Sequence, residues 1–466
     1  MRIEKDTLGE VRVPEDALYG AQTQRAVENY PISGLREHPS FIRAFILLKR
    51  AAALANRELD AMDEQTSNAI VGACDRILRE FERFRPHFVV DVFQAGAGTS
   101  FNMNCNEVIA NVANLSLGGK LGEYKPVHPN DHVNMSQSTN DVFPTAIRVA
   151  TLMLLERLGP QLDRLREALD AKGDEFVDVI KSGRTHLADA TPVTLGQEFK
   201  AYASAVRRAT RLLRESANEL RVLGIGGTAA GTGINTPIGY RFVVVRHLGE
   251  STGLELQSSD DLREAMQSQL SVVAVSASLR NLALELTRIT NDLRLLASGP
   301  LTGLAEINLP AVQPGSSIMP GKVNPSLLEC MNQVLFHIIG ADTAVAYASQ
   351  AGQLELNVMM PLMAFEITFS MEILKNFLPV YVDKCVRGIT ANRERCEAYY
   401  ATSPSLATAL NPIIGYAAAA EIAKESARTG QKIPDLLREK NLLSEERIAE
   451  IFTPEFLAGQ ADRRRD

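Results

Sequence analysis

Residues 260–298 run for 39 positions without a glycine or a proline. Helical throughout, they would extend about 58 Å at 1.5 Å per residue, which few single domains could cover. A seam of mostly apolar positions recurs in alternating steps of three and four: Ala265, Ser268, Val272, Val275, Leu279, Leu282, Leu286, Ile289, Leu293 and Leu296. That spacing is the seam of a helix packed along its length against others. Ser258 and Asp260 offer N-caps, and Gly299-Pro300 a stop. Residues 195–223 form a second long segment, also amphipathic, with Phe199, Tyr202, Val206, Leu212, Leu213, Leu220 and Val222 set among arginines. Such helices bury their apolar sides only against partners of similar length, so neighbouring subunits are expected to join the bundle. The alternative is a monomeric bundle with solvated arginine faces.

Around this feature the chain reads as three parts and as mainly α. Residues 1–140 mix short extended signals near Val11 with modest helices such as 42–58. Residues 141–392 hold the long helices. Residues 393–466 are shorter-ranged, broken at Leu410-Asn411-Pro412 and at Gly430, and the segment 461–466 reads as a solvated tail.

With 466 residues, 45% of them hydrophobic, the chain can build a substantial core. Its 49 basic and 56 acidic residues give a net charge of -7, scattered rather than blocked, which argues against nucleic acid or an anionic membrane as partner. The first 16 residues are charged, without the apolar run of a secretory signal, and no stretch of about 18 uninterrupted apolar residues occurs; the expected location is the cytoplasm. Cys74, Cys105, Cys330, Cys385 and Cys396 contain no Cys-x-x-Cys pair and read as reduced thiols. His128 and His132 flank Pro129 and read as loop rather than a metal site.

Three polar stretches interrupt the helices: Gly96-Ala97-Gly98-Thr99-Ser100, Ser136-Gln137-Ser138-Thr139-Asn140-Asp141, and Gly315-Ser316-Ser317-Ile318-Met319-Pro320-Gly321-Lys322-Val323-Asn324. With Arg184-Thr185-His186 they supply many uncharged donors and few carboxylates, a composition suited to a carboxylic acid. Singly, the first two are also what helix caps and turns require. The third is not a phosphate loop, because five residues separate its glycines and Val323 follows Lys322. Residues 224–229 imitate a dinucleotide fingerprint but follow a helix-like segment, so they read as a flexible turn. No Gly-x-Ser-x-Gly elbow surrounds Ser316 or Ser317.

The run from Gly315 to Asn324 resembles the signature loop of the fumarase/aspartase superfamily. The likeness continues in Gly20-Ala21-Gln22-Thr23-Gln24-Arg25, Gly183-Arg184-Thr185-His186-Leu187, Glu355-Leu356-Asn357-Val358 and Gly388-Ile389-Thr390-Ala391-Asn392. The resemblance implies a three-domain fold with a central long-helix bundle shared in a homotetramer, each active site drawing on three subunits, and a small dicarboxylate or amino-acid substrate. It implies no cofactor. It makes Ser316 the base that removes a proton beside one carboxylate. Lys322 and Asn324 would hold the other carboxylate, with Thr185 and His186 of a neighbouring chain; Thr99, Ser138, Thr139 and Ser317 would bind the carboxylate whose charge grows. Asn140 would face the leaving group, and Glu329 would pair with the histidine. A serine is ordinarily a weak base, so the loop's backbone N–H groups and Lys322 are expected to favour its ionised form, and Gly315 and Gly321 to give the loop freedom to close.

The first two polar stretches resemble aspartases; fumarases usually carry Ser-Gly-Thr-Gln-Ser and Gln-Ser-Ser-Asn-Asp there. Gln22-Thr23-Gln24-Arg25 and Val127-His128-Pro129-Asn130-Asp131 lean towards fumarase. Residues that would touch substrate weigh more, so ammonia elimination from aspartate leads, hydration of fumarate follows, and a catalytically silent structural relative is the third reading. Two departures stand out: Leu301, where the family usually has arginine, and Met360, where aspartases tend to have an acid.

Overall fold

The structure, a computed structural model, describes residues 1–459; the tail expected at 461–466 lies outside them. Helices dominate, and strands occur among the described residues only as four two-stranded sheets. The chain forms two compact units. The first comprises Met1–Gly159, Arg211–Ala283 and Phe336–Lys375, the second Pro160–Thr210, Leu284–Leu335 and, of the described residues, 376–459.

In the first unit, Arg2–Asp6 pairs antiparallel with Gly9–Val13. The Pro39–Glu58 helix begins where His38 accepts the Ser40 N–H, with Pro39 in its first turn. The core centres on Phe41, Phe45, Phe101 and Phe143, whose rings meet at centroid distances of 5.0–5.9 Å. Those four rings tie together the Pro39–Glu58, Thr99–Ser116 and Thr139–Glu175 helices, and so fix the starts of the last two.

In the second unit, Leu165 and Leu169, Leu286 and Ile289, Met331 and Tyr381 close around a void of ≈ 10 Å³, at the lower limit for a single water. Four long helices therefore meet here in close contact. Beyond residue 392, Leu406, Leu410, Ile422, Leu436, Leu437 and Ile451 form a separate small core. Of the two expected breaks, Gly430 ends the Tyr416–Thr429 helix at φ 74°, whereas across Leu410-Asn411-Pro412 the chain stays helical: the 3-10 turn Pro404–Leu410 passes into the short Asn411–Ile414 helix, which ends at Gly415.

Two long segments differ from expectation. Residues 260–298 are not one helix: Leu262–Gln267 stops at Ser268, which is extended at φ -90° and ψ 127°, and Leu270–Leu296 starts afresh. Ser268 closes the first helix and its Oγ accepts the Leu270 N–H at 3.4 Å, so a residue assigned to the seam instead lies in the break between two helices. The first helix is capped by Asp261, which takes the Arg263 and Glu264 N–H groups, rather than by Ser258 or Asp260. From Val272 to Leu296 every seam residue is buried. Leu270–Leu296 is also long and apolar enough, by length and composition alone, to cross a membrane; its seam is what a packed helix requires. Residues 195–223 likewise split, into the Leu195–Ser216 helix, a 3-10 turn over Ala217–Arg221, and a short strand Val222–Leu223 parallel to Gln257–Ser258. Leu212 is exposed there, whereas Phe199, Tyr202, Val206, Leu213 and Leu220 are buried. Leu270, Leu284, Leu295, Phe336 and Tyr347, all on long helices, stand exposed on the single chain.

Candidate active site

Thr99, Ser138, Thr139 and Asn140 line one cavity of ≈ 600 Å³ in the first unit, and among the described residues no charged side chain lines it. Two helix N-termini open onto it. Thr99 starts one helix after Gly98, which sits at φ 88°; a Cβ on Gly98 would lie 2.0 Å from the Phe143 ring. Glycine is therefore required for that ring to pack beneath the first turn. Thr139 starts the other helix. Ser138 Oγ accepts the Asn140 N–H at 3.2 Å, and Asp141 Oδ1 accepts the Ser138 N–H at 2.9 Å, a capping box with aspartate in the fourth place. Helix N-termini present partial positive charge and free N–H groups, so the cavity attracts anions without a fixed cation.

The hydrogen bonds also orient its hydroxyls. Thr139 Oγ1 accepts from Asn102 Nδ2 at 3.0 Å, and Ser138 Oγ accepts as above. Each hydroxyl is thus engaged as an acceptor and keeps its own proton to donate. Asn140 Nδ2 donates to the Ala229 carbonyl at 2.9 Å, which leaves Oδ1 as its acceptor end. Asn102 Oδ1 is buried without a hydrogen-bond partner among the described residues.

Beneath the cavity lie groups that sequence reading passed over. Asn134 Oδ1 accepts from Lys49 Nζ at 3.0 Å, Asn102 Nδ2 at 3.2 Å and Asn106 Nδ2 at 3.1 Å. Lys49 is fully buried, and desolvation lowers its pKa to about 7. Asp141 is buried too; desolvation raises it to about 6 against the pull of backbone N–H groups from Ser138, Thr228 and Gly226. The last two, at 2.8 and 3.0 Å, pin residues 224–229 to the cavity floor. That segment is no flexible turn, and it follows the short Val222–Leu223 strand rather than a helix. The Gly20-Ala21-Gln22-Thr23 motif has a related explanation: Glu107 accepts the N–H groups of Gly20, Gln22 and Thr23. Only Gln22 of that motif lines the cavity.

The remaining residues belong to the second unit. Ser316, Ser317, Lys322 and Asn324 lie on an irregular loop, with Ser317 and Lys322 exposed and Ser316 and Asn324 half-buried. Ser316 Oγ accepts the N–H groups of Ile318 at 3.2 Å and Met319 at 3.0 Å, donors that would favour an alkoxide over a hydroxyl. The loop closes on itself, Gly315 N–H to the Lys322 carbonyl at 2.8 Å and Asn324 Nδ2 to the Gly315 carbonyl at 2.5 Å. A Cβ on Gly315 would meet the Lys322 oxygen at 2.6 Å and the Asn324 nitrogen at 2.7 Å; space, more than freedom, demands glycine there. Gly321, at φ 80° in open surroundings, owes its identity to its backbone conformation.

Thr185 and His186 sit on an exposed hairpin turn between Ile180–Thr185 and Ala188–Thr194, so His186 is not a core histidine. Glu329 is half-buried in the first turn of the Ser326–Gln350 helix, and no hydrogen bond joins it to His186 among the described residues of the chain. Met360 is fully buried, and Leu301 is 84% exposed. His128 and His132 lie in a single π-helical turn, where the His132 ring accepts the His128 N–H at 2.9 Å and the His128 ring accepts the N–H groups of Asn130 and Asp131. The five cysteines are free, Cys330 half-buried and the rest buried.

A family profile described as lyase matches residues 9–340, and one described as fumarase C C-terminus matches residues 406–459. The aspartate ammonia-lyase of Bacillus subtilis is 48% identical over 97% of this chain and 95% of its own length. The chain belongs to the fumarase/aspartase superfamily of lyases. The aspartate ammonia-lyase of Corynebacterium glutamicum is 49% identical over 98% of this chain and 87% of its own. Among solved structures, the fumarate lyase:delta crystallin from Brucella melitensis bound to cobalt has a TM-score of 0.94 at 48% identity, covering 97% of this chain and 98% of that one. The class II fumarase from Schistosoma mansoni has a TM-score of 0.93 at 34% identity, covering 98% and 99%. A superfamily fold over nearly the full length accords with the mainly helical architecture.

Proposed function

We propose that this lyase is an aspartate ammonia-lyase, converting L-aspartate to fumarate and ammonia. The observation that carries the reading is the cavity formed by two helix N-termini. Its hydroxyls are aligned to donate to a carboxylate while Asn140 Oδ1 and Asn102 Oδ1 remain acceptors for an ammonium group. Relatives named aspartate ammonia-lyase, spanning nearly the whole chain, support it.

In this reading the Ser316 alkoxide takes a proton from the carbon beside one carboxylate. The C–H bond breaks, the new O–H bond forms on Ser316, and the electron pair moves into that carboxylate as an enediolate. Thr99, Ser138, Thr139 and Ser317 donate to it; each donor of this kind lowers the barrier by roughly 3–4 kcal/mol. Collapse of the enediolate breaks the C–N bond beside Asn140 and yields fumarate. Lys322 and Asn324, with Thr185 and His186 of a neighbouring chain, hold the second carboxylate, and Glu329 steadies the histidine. The enzyme acts as a cytoplasmic homotetramer with 1–140, 141–392 and 393–466 as its functional segments; the exposed apolar residues on its long helices support burial between subunits.

Hydration of fumarate is the second reading, favoured by the likeness to the Schistosoma fumarase. Ultraviolet absorbance of fumarate formed from L-aspartate and, separately, from L-malate decides between them. Aspartate-only turnover is the expected result. Malate-only turnover assigns the second reading, and silence with both removes each of them.

A further inference from the structure

The turn that carries Thr185 and His186 is unusual in its backbone. His186 and Leu187 both sit at φ 57°, the left-handed region that two-residue hairpin turns require and that asparagine and glycine ordinarily fill. A histidine followed by a leucine holds that conformation only when its surroundings impose it. The strand leading into the turn shows how. Its register shifts between Ser182 and Arg184, and a Cβ on Gly183 would lie 2.5 Å from the Thr191 carbonyl, so glycine permits the bulge. Arg184, the residue before Thr185, then makes a two-pronged ion pair with Glu306 at 2.9 and 3.0 Å.

Glu306 is completely buried, and Lys181, 1% exposed, reaches it at 3.1 Å while also pairing with Glu198 at 2.7 Å. Two carboxylates and two cations thus balance inside the second unit. Glu306 is itself held at its backbone: its N–H donates to the Leu296 carbonyl at 2.9 Å, and its carbonyl accepts the Asn392 N–H at 2.9 Å. The Glu306 backbone is anchored to the end of a long helix and to the residue that caps Arg393–Thr402.

We infer that Glu306 is a positioning residue for substrate binding, fixing the Thr185–His186 turn through Arg184. The inference rests on the reading that this turn contacts the substrate. Removing one charge from a buried quartet leaves another uncompensated and destabilises the fold in any case, so the test must separate position from stability. The probe is the dissociation constant of fumarate in four assembled proteins: wild type, Glu306→Gln, a Thr185→Ala/His186→Ala variant, and all three changes combined. Glu306→Gln is expected to weaken fumarate binding by about tenfold or more in the wild-type background, the order expected when a hydrogen bond to a charged group is lost. In the background lacking the hydroxyl and imidazole it is expected to change binding little, because the group it positions is gone. Equal weakening in both backgrounds, or none in the first, overturns the inference. Wild-type affinity in the Thr185→Ala/His186→Ala protein instead rejects the contact itself, and the inference with it. If gel filtration shows that Glu306→Gln does not assemble, Arg184→Lys keeps the charge but loses the planar fork. It is expected to give the same background-dependent pattern, and an additive pattern overturns the inference.

Discussion

The cavity of the first unit and the serine loop of the second are built in opposite ways. Around the cavity, Thr139 is 7% exposed, Asn102 2% and Lys49 0%, and one asparagine oxygen gathers three donors. Among the described residues the loop has no such support. Its hydrogen bonds are to its own backbone, and Ile318 at its tip is 83% exposed. Charge stabilisation requires donors fixed before the reaction begins, whereas a base that must reach a bound substrate needs a segment free to approach it. In the cavity, activity and stability should therefore change together; in the loop they should separate.

The largest effect that leaves Ser316 in place is expected from Thr139→Val. It removes a donor to the enediolate and lowers kcat by about 10²–10³-fold. It also strips the Asn102 amide of one buried acceptor, at a cost of about 1–3 kcal/mol, so the thermal midpoint should fall as well. Loss of kcat at an unchanged midpoint would break the coupling. Gly315→Ala should lower kcat by about a hundredfold, because its Cβ has no room against the Lys322 and Asn324 backbone, with the midpoint unchanged. Gly321→Ala meets nothing and should cost only about 1 kcal/mol of local strain, with a correspondingly small loss of kcat. If the two alanines behave alike, the loop's internal closure is irrelevant to its function.

Lys49 sharpens the comparison through pH. Its pKa is depressed from 10.5 to about 7 in the folded protein. Between those values the unfolded chain takes up a proton that the folded chain does not, so stability is lost as pH falls through the window, by a total on the order of 5 kcal/mol. Lys49→Met lacks this loss. Its thermal midpoint relative to wild type should rise steadily from pH 9.5 to pH 7, as followed by circular dichroism; a pH-independent difference would mean that Lys49 stays charged in the fold.

How much of this was legible in the sequence follows from the same contrast. The serine loop is a local motif, and ten adjacent residues carried its resemblance. The seam from Val272 to Leu296 was readable because helical period is local too. The break at Ser268 was not, because absence of glycine and proline does not forbid an extended residue inside a periodic run. Lys49 sits in a helix whose apolar pattern was plain, but nothing in that pattern says that its ammonium meets Asn134, 85 residues away. The attachment of residues 224–229 to Asp141 is of the same kind. Groups proposed to touch substrate stood in recognisable strings, while the groups that hold them came from distant parts of the chain.

The central claim is that Ser316, held by two backbone N–H groups, is the base that breaks the C–H bond. Its most direct test is kcat for fumarate formation by Ser316→Ala, in protein whose oligomeric state and thermal midpoint match those of wild type. The account predicts a loss of about 10³-fold or more, and turnover within a few-fold of wild type would contradict it.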